Sequence, residues 1–185
     1  MATTPPRPSK EEIAQAAGRT IPDVLGPNLR VLFCGINPGL YSGAVGHHFA
    51  RPGNRFWKAL HAAGFTDRVL PAWEQGRLLD YGLGITNLVR RATAGAAELS
   101  AEELWHGAKR VTRLVCRHEP KVVAFVGAGA YRTAFGDPTA AVGPQPGRIC
   151  RSRIWLLPNP SGLNAHYQLP ELAAAFRALG EAVSS

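Results

Sequence analysis

Arg30-Val31-Leu32-Phe33-Cys34-Gly35-Ile36-Asn37-Pro38-Gly39 reads as a short buried strand delivered into a tight turn. The apolar run from Arg30 to Cys34 has the length of one strand. Asn37-Pro38-Gly39 then turns the chain, because Pro38 fixes φ and Gly39 tolerates positive φ. Open α/β sheets place their ligands at the carboxyl ends of strands, and the amide of Asn37 would sit at such an end. A plain turn explains the same tripeptide.

Upstream, Ser9 and Glu12 form a capping box that predicts a helix over 10–17, stopped by Gly18. Residues 19–29, with Pro22, Gly26 and Pro27, form a connector. Beyond the turn, a helix is expected over 54–63 and another near 71–79. Gly84 to Val89 reads as a second strand. Ser100 and Glu103 cap a longer helix carrying Leu104, Ala108, Val111 and Val115 at helical spacing up to Pro120. Val122-Val123-Ala124-Phe125-Val126 is a continuous apolar run, as expected of a strand covered on both faces. Gly127-Ala128-Gly129 opens a helix to Phe135. This Gly-x-Gly lacks the third glycine and the acidic partner of a dinucleotide site. Residues 136–150 read as a loop or irregular hairpin, Ile154–Leu157 as the last strand. Pro170, Leu172, Ala175, Phe176 and Leu179 mark a terminal helix. Strands alternating with helices predict a single three-layer α/β/α domain with a mainly parallel sheet over 9–185, its core 29–180, behind a disordered tail at 1–8.

At 185 residues, 45% hydrophobic and 18% charged, the chain fits one globular domain. Its formal charge is +8, with 17 Arg against 4 Lys. That excess favours a polyanionic partner, since phosphate contacts release counterions. Three widely spaced cysteines, Cys34, Cys116 and Cys150, offer no zinc pattern, too few ligands for an iron–sulfur cluster, and no disulfide scaffold. Cys34 reads as a core residue. With no secretory leader and no apolar run near the ~20 residues that span a bilayer, the protein is expected to be intracellular.

In a parallel sheet three loops meet at one edge: the turn at Asn37, the stretch from Asn87 through Arg90, Arg91 and Thr93, and Pro158–Asn164. Four motifs fall on or beside them. Gly35-Ile36-Asn37-Pro38-Gly39, Asn54-Arg55-Phe56-Trp57, Gly84-Ile85-Thr86-Asn87 and Leu157-Pro158-Asn159-Pro160-Ser161-Gly162-Leu163 resemble, in order and spacing, those of the mismatch-specific uracil and thymine DNA glycosylases. The likeness runs from about Leu29 to Leu179. His47-His48 and the Thr86-Asn87 to Thr93 stretch resemble the thymine-processing branch. Asn159 to Leu163 resembles the bacterial uracil branch.

The resemblance implies a uracil-DNA-glycosylase-like fold and a base-excision enzyme working on double-stranded DNA, without metal or organic cofactor; a monofunctional enzyme is expected from the lack of a motif lysine, and a monomer because one domain already forms the cleft. Uracil opposite guanine is the implied substrate, with thymine opposite guanine and exocyclic cytosine adducts as further candidates. Asn37 would orient the attacking water, helped by Thr93. Ile36, His48, Phe49 and Asn87 would form the base site, with Phe49 stacking and Asn87 reading the polar edge. Leu163 would wedge into the duplex, Gly162 would allow close approach to it, and Ser161 would bind a phosphate. Arg51, Arg55, Arg90 and Arg91 are candidates for backbone contact, and Arg151 a weaker one. Asp80, just before the second strand, is a further candidate for activating water if its segment folds over the cleft; a solvated or capping role is the alternative. Schiff-base lyase chemistry needs an amine nucleophile, and no lysine falls in the motifs. Two other readings stand beside this one: a damage-binding module without turnover, and a nucleoside hydrolase or nucleotide-binding protein on the same sheet.

Overall fold

The computed structural model describes residues 3–185. Five strands, β1 (Val31–Gly35), β2 (Leu83–Asn87), β3 (Val122–Val126), β4 (Gly143–Ile149) and β5 (Ser152–Leu157), form one sheet in the order β2-β1-β3-β5-β4. β1, β2, β3 and β5 are parallel, and β4 runs antiparallel to β5. The predicted α/β/α class with a mainly parallel sheet is the observed one. Because side chains alternate along a strand, Val31 and Phe33 enter one core with Phe56, Leu60 and Phe176. Leu32 and Cys34 enter the other with Val111, Val115 and Tyr131. The helices above and below are α3 (Phe56–Ala62) with α6 (Leu169–Ser184), and α4 (Ala101–His118) with α5 (Ala128–Phe135).

Several expectations are adjusted. The first helix, α1, covers only Lys10–Ala14, though its Ser9–Glu12 capping box is present. The segment near 71–79 is a kinked 3-10 helix, Ala72–Tyr81, rather than an α-helix. A short helix not anticipated, α2 (Leu40–Val45), follows the Asn37 turn; glycine caps it at both ends, so no side-chain signal marks it. The hairpin expected within 136–150 is the edge strand β4, irregular between Pro144 and Arg148. The predicted tail at 1–8 begins with two residues outside the described region; residues 3–8 carry no helix or strand. Cys34 is buried and unpaired, as its core reading requires. Cys116 and Cys150, by contrast, are joined in a disulfide that their spacing did not suggest. It links the end of α4 to the β4–β5 turn at the amino edge of the sheet, away from the Asn37 turn.

The connector is ordered. Val24 forms an antiparallel bridge to Ile85 and Thr20 one to Arg91, so residues 20–24 flank β2 at the sheet edge.

Candidate active site

β1 and β2 run side by side with Gly35 opposite Asn87, which brings both strand ends to one cleft of about 230 Å³. That volume lies below the ~300–1,000 Å³ of ordinary ligand pockets and suits one planar ring. Ile36, Asn37, His48, Phe49, Asn87, Thr93, Arg51, Ser161 and Leu163 of the predicted site all border it.

Both N–H groups of Asn37 find acceptors. Its Nδ2 donates to the Arg91 carbonyl at 3.0 Å and to the Thr93 hydroxyl at 2.7 Å. Thr93 in turn donates to the Gly95 carbonyl at 2.8 Å. A backbone carbonyl cannot donate, so the amide cannot flip. With both N–H groups committed, Oδ1 is the polar atom Asn37 has left to offer. The turn is tied down as well, by the Thr93 amide donating to the Pro38 carbonyl at 3.1 Å.

The base-site candidates surround a stacked pair. Phe49, at φ 51°, lies on Phe56 with ring centroids 4.1 Å apart and planes 16° from parallel. A non-glycine residue in that left-handed region is uncommon and carries strain that the packing must hold. Asn87 is 5% exposed, and its carboxamide lies over the Cα of Gly35, where any side chain would collide with Oδ1. Its Nδ2 lies 3.2 Å from Nδ1 of His48, whose Nε2 lies 2.9 Å from the Pro22 carbonyl. Burial pushes the His48 imidazole below its ordinary pKa, against smaller opposing effects of the Pro22 bond and Asp23. The Ile36 carbonyl accepts from the Val89 amide at 2.9 Å, and Ile36 borders the cleft.

The loop after β5 stands over the cleft. Leu163 at its tip is 78% exposed. Asn159 shapes the loop by accepting from the Ser161 amide at 3.0 Å, and the Ser161 hydroxyl accepts from the Leu163 amide at 3.2 Å. Gly162 packs against the chain itself: a Cβ there would lie 2.8 Å from the Gly53 carbonyl oxygen.

Three predicted residues take other places. Arg55 does not face outward for phosphate. Its guanidinium donates to the carbonyls of Tyr167, Ser161 and Asn164 and to the Gln168 side chain, at 2.5–3.0 Å, and so braces the loop. Arg91 is paired with Glu103 at 2.6 Å, which holds the Glu103 carboxyl down at about 2; its contribution to the cleft is its carbonyl. Asp80 precedes the amino end of β2, a strand's length from the cleft edge, and its 64% exposed side chain pairs with Arg77 at 3.4 Å. It cannot activate water in the cleft, because the segment does not fold over it. Arg51 and Arg90 are exposed, as phosphate contact requires, and Arg51 borders the cleft. Arg151 lies in the β4–β5 turn at the opposite edge, beside Glu119.

Other contributors have no local signature. Ser42 of α2 borders the cleft and accepts from the Ala50 amide at 3.0 Å. Arg110 of α4 reaches Asp23, Thr86 and the Asn87 carbonyl, fixing the end of β2 from behind. Gln75 accepts from the His48 amide at 2.7 Å. Among the described residues, no group of three His, Cys, Asp or Glu side chains is placed to hold a metal ion.

Two comparisons bear on this arrangement. The sequence profile of the Uracil DNA glycosylase superfamily matches residues 22–180. The fold is similar to that of a solution NMR structure from Methanosarcina acetivorans, described provisionally as a uracil DNA glycosylase. The TM-score is 0.56 at 20% identity, over 88% of this chain and 98% of that one.

Proposed function

Because the chain belongs to the uracil DNA glycosylase superfamily, and so has a DNA glycosylase role, we propose that it is a monofunctional enzyme hydrolysing the bond between uracil and deoxyribose, foremost in G·U mismatches of duplex DNA. The observation that carries this reading is the locked amide of Asn37, whose remaining oxygen can accept a hydrogen bond from water beside a ring-sized cleft. The glycosidic bond is inaccessible in a stacked duplex, so the nucleotide must rotate out before reaction. Leu163, exposed at a loop tip, is the apolar group suited to fill the gap. The extruded base lies against Phe49, and the Asn87 amide pairs with its polar edge.

Asn37 orients water but cannot take its proton, since an amide is a poor base. The C1′–N1 bond therefore breaks ahead of attack, its electron pair leaving with the base. Water oxygen then bonds to C1′ and releases its proton to the departing base or to solvent. Rate in this scheme depends on how well the cleft stabilises the anionic base, a task for the Asn87 N–H. Uracil leaves more readily than thymine, whose methyl makes it the poorer leaving group; G·T and exocyclic cytosine adducts are secondary substrates. No lysine borders the cleft, which favours hydrolysis to an abasic site over lyase chemistry. Arg51 and Arg90 contact the DNA backbone, and one domain working as a monomer suffices for the cleft.

Single-turnover release from duplexes carrying U·G, T·G or U·A tests the reading with wild type and Asn37→Ala. Uracil release from U·G that falls by about 10²-fold or more in the variant supports it. Binding without release from any duplex indicates a damage-binding module instead.

A further inference from the structure

Asn87 can offer its oxygen and its nitrogen to a base in either order, and the two orders recognise different bases. With Oδ1 at the base N3 and Nδ2 at the exocyclic position, the amide meets the N3–H donor and O4 acceptor of uracil. Reversed, it meets the N3 acceptor and N4 amino donor of cytosine. Something must hold the amide one way round.

The surroundings of His48 supply it. The Pro22 carbonyl can only accept, so the nitrogen 2.9 Å from it, Nε2, carries the proton. A neutral imidazole then has a bare Nδ1, which can only accept, and the group 3.2 Å away must be a donor. That makes it the Asn87 Nδ2, with Oδ1 turned to the Gly35 side. An amide reversed in place would set its oxygen against the Nδ1 lone pair. We propose that His48 is a positioning residue whose tautomer, set by the Pro22 carbonyl, locks the Asn87 amide in the order that accepts uracil and refuses cytosine. The inference rests on the base-reading role of Asn87 given above.

Protonating His48 would put a donor at Nδ1 and unlock the amide. The charged or titratable groups facing His48 are few. They are His47 on its own loop, Asp23 on the flanking segment, and Arg110 of α4, which binds Asp23 and the far side of Asn87. Gln75 and Trp57, which bond its backbone amide and carbonyl, are neutral. Asp23 is already engaged by Arg110 at 3.3 Å and by Thr86 at 2.8 Å. Burial dominates, and the imidazole stays neutral below its ordinary 6.5.

Long-range 1H–15N NMR of the free protein reads the relay without any catalysis. The expected result is the neutral Nε2–H tautomer of His48. In Asn87→Asp, the acceptor-only carboxylate demands a proton on Nδ1, and the His48 pKa rises. An Nδ1–H tautomer in wild type, or an unchanged titration in Asn87→Asp, overturns the proposal. Release from U·G and C·G duplexes between about pH 5 and 8 supplies the second readout. Wild-type uracil release falls at the acid end. In His48→Gln, whose amide can donate to Pro22 and accept from Asn87, it becomes independent of pH; a persisting acid limb counts against the relay. His48→Leu narrows the preference for uracil over cytosine by about tenfold, the scale of one lost hydrogen bond. A wild type that releases no uracil sinks the base-reading role, while the NMR still decides the tautomer.

Discussion

Gly162 and Gly53 meet backbone to backbone: a Cβ on Gly162 would stand 2.8 Å from the Gly53 carbonyl oxygen and 3.3 Å from its carbon. Neither partner has a flexible end that can swing away, so Gly162→Ala must displace one of the two loops. The expected cost is that of overpacking, about 1–3 kcal/mol, read by urea denaturation. Base release falls with it, because Leu163 is carried on the displaced loop. A variant as stable and as active as wild type would show that the loops are not held in this contact.

Arg55→Lys separates a brace from a phosphate contact. A lysine keeps the charge but cannot spread over the four acceptors of the fork. Carbonyls left without a donor cost about 1–3 kcal/mol, and amide exchange over 161–168 speeds up. The salt dependence of DNA binding stays as in wild type. Arg51→Ala does the reverse, lowering the salt slope by about 1 with the loop undisturbed. Both are measured by titrating binding against salt and by hydrogen exchange.

His48 also predicts the pH dependence of stability. Its folded pKa lies below the ordinary 6.5. Above 6.5 it is neutral in both states and costs nothing. As pH falls through 6.5 the unfolded chain takes a proton that the folded one refuses, so stability declines until the folded pKa is passed. His48→Gln makes the decline shallower; His47, shifted the same way by burial, keeps part of it. Denaturation at about pH 7.5 and about pH 5.5, either side of the imidazole's ordinary range, measures the difference.

Cys116 and Cys150 close a loop over a sequence separation of 34. Replacing both with serine lowers stability by about 3–4 kcal/mol in the chain-entropy account. Single-turnover uracil release by the folded protein is unaffected, because the bridge lies at the sheet edge away from the cleft. A change in that rate would mean the two edges communicate.

What the sequence disclosed follows from how local its signals are. Val122–Val126 and the helix after it are found with their observed bounds, since an apolar run between a proline and a glycine has one reading. The Asn37 turn, Phe49, Asn87 and Leu163 arrive at one edge because parallel strands must end together. Asp80 shows the limit of proximity along the chain: seven residues before Asn87, it lies at the other end of the same strand, solvated as its alternative reading has it. Arg55 shows a second blind spot. Sequence displays a cation beside a motif, but not the carbonyls from 161 to 167 that gather around it. The Asp23–Thr86–Arg110 network joins residues 63 and 87 positions apart and leaves no pattern to read. Likewise α2, built on Leu-Tyr-Ser-Gly-Ala-Val without a capping side chain, looks like loop.

Three consecutive residues tie the loop proposed to extrude the base to the ring proposed to receive it. Asn54 accepts from the Phe56 amide, Arg55 grips the loop that ends in Leu163, and Phe56 carries Phe49 on its face. Force on the Leu163 tip therefore passes through the start of α3 to the surface that would catch the base. The proposed insertion and capture thus share one lever, so softening either contact should slow both steps together.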